Sequence, residues 1–445
     1  MIKKLIALAL TGFMLLSAAG CQQRRSLTTS VAVLNQSESR KVTYYDSIYT
    51  ICYKNRNGTY DTYIFSSPIQ YKDETGYHII DNTVVESKHA SYSYENKAND
   101  IKTYFPDNLD DGIRIQRKDE FIEFKPALSS ELFSKAQAKT RQNAYGDEVS
   151  GVEYSGKQMD LFFYPARAGV MCEAFLKQAP QGGKLSFSCN SSAKAIDNPS
   201  FQYLLFKNQS DNMGILQAPV IFSGKDENLQ PRMGTVEANR SGSDYLADIP
   251  LKQAGEFPAT VSFSVELYQN KLPDACAYEK SGNAYLSDHT VVGTHPDFGQ
   301  GIAYTRTRIN YFLDIPVDNV LTVSYCIPQL FAAAGAGNVE LREVTQQWSS
   351  SNLSWETKTP LGDLVAQAEQ QDGMLCFDIT RYAKECLEDF SLEKESVGLA
   401  LQMANNEGYT VLASSDHALY APYIRIHTNT MPGYFVPKDN INEQL

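Results

Sequence analysis

The segment Glu340–Pro360, with the sequence ELREVTQQWSSSNLSWETKTP, contains both tryptophans of the chain, Trp348 and Trp355. Its pattern predicts a strand, a polar turn and a second strand, with each tryptophan at the end of a β run. An indole at such a position either fills the core of a β-sandwich or presents its flat face to a ligand. The segment therefore predicts a β-sandwich in the C-terminal part of the chain.

The N-terminus has the pattern of an export signal. Two lysines precede the apolar run Leu5–Leu16, and small residues lead to Cys21, so residues 1–20 are predicted to be a signal peptide. The Ala-Ala-Gly-Cys sequence resembles a bacterial lipobox, which implies that Cys21 carries lipid; an ordinary secretory signal with an incidental cysteine is the alternative. Residues 21–41 then form a lipid-anchored flexible tether, and the protein is expected on the extracellular face of the cell membrane.

The charge of the chain narrows the classes of partner. The formal net charge is −12, and it becomes −14 once the two lysines of the signal peptide are removed. An acidic chain of this kind is not expected to bind nucleic acid. No apolar run after Cys21 is long enough to span a bilayer, so we expect the lipid to be the only membrane contact.

The cysteines give an incomplete disulfide pattern. Seven remain if lipid occupies Cys21, and none form a CxxC pair, which argues against a full disulfide framework or a structural zinc site. Cys172 and Cys189 flank the turn sequence at 180–183 and are predicted to face each other across a hairpin, where they could form a disulfide. Buried free thiols are the alternative.

The remaining sequence predicts a mainly β protein. Short alternating runs between turn signals predict an N-terminal β-rich, sandwich-like domain over 42–268. Turn residues at 269–274 mark a boundary, and a C-terminal jelly-roll sandwich is predicted over 275–427, followed by a tail at 428–445. One short amphipathic helix is expected after Asp378, because apolar residues recur there at helical spacing.

The C-terminal part resembles the DNRLRE domain family, whose jelly-roll modules are related to carbohydrate-binding modules. The upstream half resembles the region that precedes such modules in wall-associated and RHS-type proteins of Gram-positive bacteria. The resemblance implies a carbohydrate-binding sandwich on a bacterial surface lipoprotein. It rests on the order of five elements: 308–316, 341–360, 377–380, 398–401, and 413–416 followed by 421–426.

The aromatic residues of this region are the candidate glycan contacts. Trp348 and Trp355 could stack on pyranose rings with help from Tyr409, Tyr420 or Tyr423. The competing interpretation, which we favour for the indoles, places them inside the sandwich, as is common in folds of this size.

No arrangement of residues points to a particular reaction. Metal-protease, nucleophile-elbow and phosphate-loop motifs do not occur in the sequence. Ser415, Asp416 and His417 are neighbours on an extended run and cannot converge on one atom, so we expect a strand-end turn. Asp288 and Asp297, near two histidines, are the candidate ligands for Ca²⁺, although histidine is a poor calcium ligand.

The sequence therefore predicts a non-catalytic surface lipoprotein that binds a polysaccharide or cell-wall glycan. The first alternative is a structural or adhesive module that displays or docks protein partners. The second is a polysaccharide-processing enzyme, because the 52 acidic residues leave room for a carboxylate pair that no motif singles out.

Overall fold

The computed structural model describes most of the chain after residue 40. The predicted signal peptide, Cys21 and nearly all of the predicted tether lie outside the described residues, as do the boundary residues 268–273 and the end of the predicted tail. The described ranges are 41–127, 133–196, 203–208, 211–223, 231–241, 244–252, 254–267, 274–280, 282–284, 287–307, 313–333, 335–350, 352–388, 397–405 and 407–434.

Strands account for 58% of the structure and helices for 5%, so the prediction of a mainly β protein is confirmed. The first strands are β1 (Lys41–Ser47), β2 (Thr50–Lys54), β3 (Tyr60–Phe65), β4 (Gln70–Asp73) and β5 (Gly76–Ile79). Among the described residues, no helix is both long and apolar enough to cross a membrane.

The middle of the chain contributes strands to two large antiparallel sheets. These strands are β6 (Asp81–Glu86), β7 (Tyr94–Ala98), β8 (Lys102–Phe105), β9 (Ile113–Arg117), β10 (Glu120–Pro126), β11 (Gln137–Gln142), β12 (Glu148–Ser155), β13 (Met159–Pro165), β14 (Gly169–Leu176), β15 (Lys184–Ser191), β16 (Lys194–Ile196), β17 (Tyr203–Asn208), β18 (Asp211–Gln217), β19 (Val220–Ser223), β20 (Arg232–Met233), β21 (Glu237–Ser241), β22 (Asp244–Pro250) and β23 (Ala259–Leu267). One sheet has the order β21-β22-β15-β10-β9-β8-β7-β6, and the other has the order β11-β12-β13-β14-β23-β18-β17-β16 with β19 and β20 beside it.

Aromatic residues from these two sheets share one core. Phe124 of the first sheet meets Phe163 of the second with ring centroids 5.9 Å apart, and Phe187 meets Phe263 at 5.1 Å. All four side chains are almost completely buried. The sheets therefore bury alternate residues of their strands against each other, as a β-sandwich requires.

The predicted hairpin between Cys172 and Cys189 is wrong. Cys172 lies on β14, which pairs with β13 and β23, whereas Cys189 lies on β15, which pairs with β10 and β22. The turn at 180–183 carries the chain from one sheet to the other. Both residues are buried, and neither forms a disulfide in the structure.

The last third of the chain forms most of a third sheet and the helix. Its elements are β24 (Asp274–Tyr278), β25 (Gly282–Ala284), β26 (His289–His295), β27 (Gly299–Thr305), β28 (Leu313–Asp314), β29 (Val320–Ala332), β30 (Val339–Val344), β31 (Leu361–Gln367), β32 (Glu369–Gln371), β33 (Met374–Asp378), α1 (Thr380–Glu388), β34 (Leu399–Met403), β35 (Tyr409–Ala413), β36 (Tyr423–Thr428) and β37 (Gly433–Tyr434). Two 3-10 turns, at Leu109–Asp111 and Val317–Asn319, complete the described elements.

The predicted helix is present as α1. The Asp378 carboxylate accepts a hydrogen bond from the backbone N–H of Thr380 at 2.9 Å at the start of the helix. The predicted apolar face is buried through Tyr382, Ala383, Cys386 and Leu387, so the helical periodicity identified both the element and its buried side.

The third sheet joins the two ends of the described chain. Its main order is β1-β2-β3-β36-β29-β35-β26-β27-β34-β30-β31, and β3 pairs with β36 from Tyr60 opposite Thr428 to Phe65 opposite Tyr423. Residues 41–65 belong to the predicted N-terminal domain, yet their strands complete the sheet of the C-terminal region. This pairing departs from the predicted division of the chain into two consecutive domains. The alternation of apolar and polar residues along a strand predicts which face is buried, but it does not predict which strand lies next to it.

A buried carboxylate fixes the register of this pairing. Asp61 is completely buried and accepts hydrogen bonds from Arg425 Nε at 3.0 Å, His427 Nδ1 at 2.8 Å and Asn55 Nδ2 at 3.0 Å. A buried charge is stable only when it is paired and hydrogen-bonded in this way.

We expect Asp61→Ala to lower the free energy of unfolding by about 1–3 kcal/mol, because it removes the buried acceptor of the hydrogen bonds from Arg425, His427 and Asn55. Urea unfolding measures the loss, and amide exchange should rise in residues 60–65 and 423–428. The control is Asp119→Ala at an exposed turn position, which should change stability little. Equal stability of the two variants would contradict the anchoring role of Asp61.

Candidate functional site

A small, partly open cleft lies where the end of β3, the start of β24, the end of β27 and the start of β36 meet. We call it the seam cleft, because it follows the seam between β3 and β36. Its apolar lining comes from Ile64, Pro422 and Ile424, and its polar lining comes from Ser66, Asp274, Thr305, Arg306, Thr307, Tyr325, Ser415 and Tyr423.

One carboxylate, of Asp274, and one guanidinium, of Arg306, line the cleft, and hydrogen bonds hold both in place. The Asp274 carboxylate accepts a hydrogen bond from the backbone N–H of Ser415 at 2.6 Å. Arg306 donates from Nη2 to the backbone carbonyl of Trp348 at 2.6 Å, and its guanidinium lies 4.6 Å from the centroid of the Trp348 ring. The two charges are opposite in sign, so this lining favours a ligand without net charge over an ion.

Two buried hydroxyl groups in the cleft lack a hydrogen-bond partner among the described residues. They are Oγ of Ser66, whose residue is 5% exposed, and Oγ1 of Thr307, which is 1% exposed. A buried hydroxyl without a partner costs about 1–3 kcal/mol, so a polar ligand or water that bonds to both groups would recover this free energy.

Tyr423 forms the aromatic wall of the cleft. Its ring is half-buried and packs against Tyr63 and Phe65, with centroids 5.6 and 5.4 Å away. Burial, together with the neighbouring Cys326 and Cys376, raises the pKa of the Tyr423 hydroxyl well above its ordinary value. The phenol therefore stays neutral and can both donate and accept a hydrogen bond.

Three of the five aromatic residues predicted to contact a glycan are buried. Trp348, Tyr409 and Tyr420 are 7%, 7% and 2% exposed, so their rings offer no open face for a sugar. The Trp348 indole donates to the carbonyl of Val397 at 2.7 Å, and Tyr409 packs edge-on to His295 at 4.5 Å. These three side chains are therefore not placed to stack on a sugar, and Trp348 lies in the core, as the competing interpretation expected.

Trp355 and Tyr423 keep part of their surface accessible. The Lys358 ammonium lies over the Trp355 ring, 3.8 Å from its centroid, and covers one face of the indole. Trp355 also packs against the apolar cluster that contains Trp348 and Leu353. Of the predicted aromatic contacts, only Tyr423 lines the seam cleft.

The predicted calcium ligands do not converge. Asp288 precedes β26 and Asp297 follows it, and the seven residues of that strand span about 20 Å. Calcium needs several oxygen ligands within about 2.6 Å of one point. Asp288 instead forms a close hydrogen bond with His289, and the described residues contain no group of three or more metal-ligating side chains.

Ser415, Asp416 and His417 form a turn directly after β35, as predicted. Nδ1 of His417 accepts hydrogen bonds from the backbone N–H groups of Leu419 and Tyr420, at 3.1 and 3.2 Å. The histidine therefore orders the loop that leads to β36.

A cluster of buried polar side chains connects the loop before β36 to the middle sheets. The Tyr420 hydroxyl donates to the carboxylate of Asp147, and Asn143 Nδ2 lies 3.4 Å from the same hydroxyl. Beside them, Glu173 accepts hydrogen bonds from the backbone N–H of Ala144 at 2.7 Å and from the Tyr164 hydroxyl at 3.0 Å. We call these five side chains, Asn143, Asp147, Tyr164, Glu173 and Tyr420, the junction cluster.

The carboxyl groups of the junction cluster have structural partners. Asp147 is completely buried and Glu173 is 2% exposed, and Arg141 lies 3.4 Å from Glu173 on its outer side. Burial raises the pKa of Glu173, although the Ala144 N–H and Arg141 act in the opposite direction. These contacts position the loop 414–421 and hence the wall of the seam cleft.

Sequence reasoning missed Ser66, Asp274, Arg306 and Thr307 as site residues. The run Thr305–Thr307 begins with the last residue of β27, and polar residues at strand ends commonly line binding sites. That signal was present in the sequence, but it does not show which strand ends meet.

The comparisons with known proteins leave the family open. No protein-family model matches the chain, and no curated protein is significantly similar to it.

The raised pKa of Glu173 predicts a pH-dependent stability. A carboxyl group with a raised pKa in the folded state holds its proton more tightly there, so its stabilising contribution is full below the ordinary value of 4.5 and is lost as pH rises through the raised value. We therefore expect the stability of Glu173→Gln relative to the unaltered protein to increase from pH 4 towards pH 8, as measured by thermal unfolding.

Tyr164→Phe is the matched control for this prediction. It keeps the carboxyl group and removes only the hydroxyl that donates to it, so the pH dependence of the unaltered protein should persist in this variant. Parallel stability curves for Glu173→Gln and the unaltered protein would contradict the prediction.

Proposed function

We propose that this protein is a non-catalytic surface lipoprotein that binds a neutral polysaccharide or cell-wall glycan in the seam cleft. The observation that carries the proposal is the pair of buried hydroxyl groups, on Ser66 and Thr307, that line the cleft without a hydrogen-bond partner among the described residues. A sugar presents several hydroxyl groups that can satisfy both at once.

The other cleft residues match the rest of a sugar ring. A pyranose has an apolar face of C–H groups, which can pack on the half-buried Tyr423. Its hydroxyl groups can donate to Asp274 and accept from Arg306, both of which line the cleft. The enclosed part of the cleft has room for about one water-sized group, so we expect a single hydroxyl group of the glycan to enter it while the sugar ring packs outside.

Binding would occur at the cell surface. Lipid on Cys21 would hold the protein at the extracellular face of the membrane, with residues 21–41 as a tether. The C-terminal region would be a DNRLRE-like jelly roll, and the strands between β6 and β23 would form the second domain. The ordered sequence elements and the antiparallel sheets support this interpretation.

We expect Thr307→Val to weaken glycan binding about tenfold, because it keeps the shape of the side chain and removes one hydrogen bond of about 1.4 kcal/mol. The mature chain with Cys21→Ser, which prevents lipidation, is screened against neutral polysaccharides and peptidoglycan sacculi, and the binding partner is then titrated by calorimetry. Thr322→Val, at an exposed position of β29, is the matched control and should bind like the unaltered chain.

Two outcomes would contradict the proposal. Absence of saturable binding across the panel would remove the glycan function, and equal affinity of both threonine variants would remove the seam cleft as the site. Release of reducing ends from any polysaccharide in the panel would favour the enzyme alternative instead. Recovery of one surface protein in pull-downs, without glycan binding, would favour the docking alternative.

A further inference from the structure

Two cysteines face each other on neighbouring strands of the third sheet. Cys326 on β29 lies directly opposite Cys376 on β33 in the antiparallel register. Their Sγ atoms are 2.7 Å apart, much closer than two nonbonded sulfur atoms normally approach. The residues are 4% and 9% exposed, so both side chains are shielded from solvent, and they pack in one cluster with Met374.

The backbone geometry suits a covalent bond. Residues directly opposite each other in an antiparallel pair have Cα atoms about 4.5 or 5.5 Å apart, and both values fall within the range that disulfides span. The sulfur atoms need to approach by only roughly 0.7 Å to reach bonding distance. Small side-chain rotations supply that movement without a shift of either strand.

A shared metal ion does not fit the same pair. Two thiolates that bind one zinc ion at about 2.3 Å in tetrahedral geometry lie about 3.8 Å from each other. The Sγ atoms of Cys326 and Cys376 are more than 1 Å closer than that. The described residues also provide no group of three or more ligands that includes this pair.

We propose that Cys326 and Cys376 form a disulfide in the exported protein. The oxidant is another disulfide, that of a thiol–disulfide oxidoreductase or of oxidised glutathione. The Cys376 thiolate attacks one sulfur of that disulfide, which forms a mixed disulfide and releases one thiol. The Cys326 thiolate then attacks Cys376 Sγ, forms the new bond and releases the second thiol; the two protons lost by the cysteines leave on the two released thiols.

The surroundings favour Cys376 as the first nucleophile. The hydrogen bond from the Cys326 thiol lowers the pKa of Cys376, while the same contact and burial raise the pKa of Cys326. The strand next to Cys376 is β32, which has three exposed residues and places Glu369 opposite the cysteine. Fraying of so short a strand gives an oxidant access to the sulfur.

The bond would stabilise the wall of the seam cleft. Cys326 also lies opposite Tyr423 of β36, and the ring of Tyr423 packs against the cluster formed by Cys326, Met374 and Cys376. A disulfide closes a loop of 50 residues between β29 and β33. It therefore restricts the unfolded chain and fixes the strand that supports Tyr423.

The first test is a peptide map of the mature chain after export or after oxidation with glutathione disulfide. Free thiols are alkylated before proteolysis without reductant, and the fragments are identified by mass spectrometry. We expect a linked fragment that joins Cys326 to Cys376, and its loss after reduction. Alkylation of both residues in the oxidised sample would overturn the proposal, whatever the glycan-binding result.

The second test measures the melting temperature with and without reductant. We expect reduction to lower it by about 5–15 °C, given the length of the closed loop. The double variant Cys326→Ala with Cys376→Ala should lose this dependence, and the double variant Cys172→Ala with Cys189→Ala should keep it. The same dependence in both double variants would overturn the assignment to Cys326 and Cys376.

Discussion

The rest of the structure depends on the pairing of β3 with β36. Strands from opposite ends of the described chain lie side by side over six residue pairs, and the buried Asp61 binds Arg425 and His427 across the seam. The strands of the two middle sheets lie between them in chain order. The entropic cost of bringing together two strands that are far apart in the chain grows only with the logarithm of their separation. A few well-placed contacts can therefore hold β3 and β36 together.

The seam cleft exists because of this closure. Ser66 leaves the end of β3 and Pro422 precedes β36, and the backbone N–H of Ser66 donates to the carbonyl of Pro422 at 2.9 Å. The buried hydroxyl groups of Ser66 and Thr307 thus come from distant parts of the chain and share one site. The junction cluster anchors the chain beside the same wall, because Tyr420 is two residues before Pro422, which lines the cleft. Binding and closure are therefore expected to be thermodynamically coupled.

Sequence patterns predicted local structure but not contacts between residues that are distant in the chain. The helix α1 was predictable, because its buried residues recur every three or four positions within nine residues. The partner of β3 was not predictable, because alternation shows which face of a strand is buried and nothing about its neighbour. Cys172 and Cys189 were predicted to pair because they are near each other in the sequence. In the structure, the two sulfur atoms that approach closely are those of Cys326 and Cys376. Of the candidate site, only Tyr423 was predicted.

Trp348 affects the site without lining it. Its indole is buried and hydrogen-bonded to Val397, while its carbonyl and ring hold the guanidinium of Arg306 from two directions. A cation over an indole that is shielded from water gains about 1–2 kcal/mol, and this interaction is formed during folding. Arg306 is therefore already oriented when a ligand arrives, and less side-chain entropy is lost on binding. The segment that predicted the sandwich thus positions a charge of the cleft through its core tryptophan.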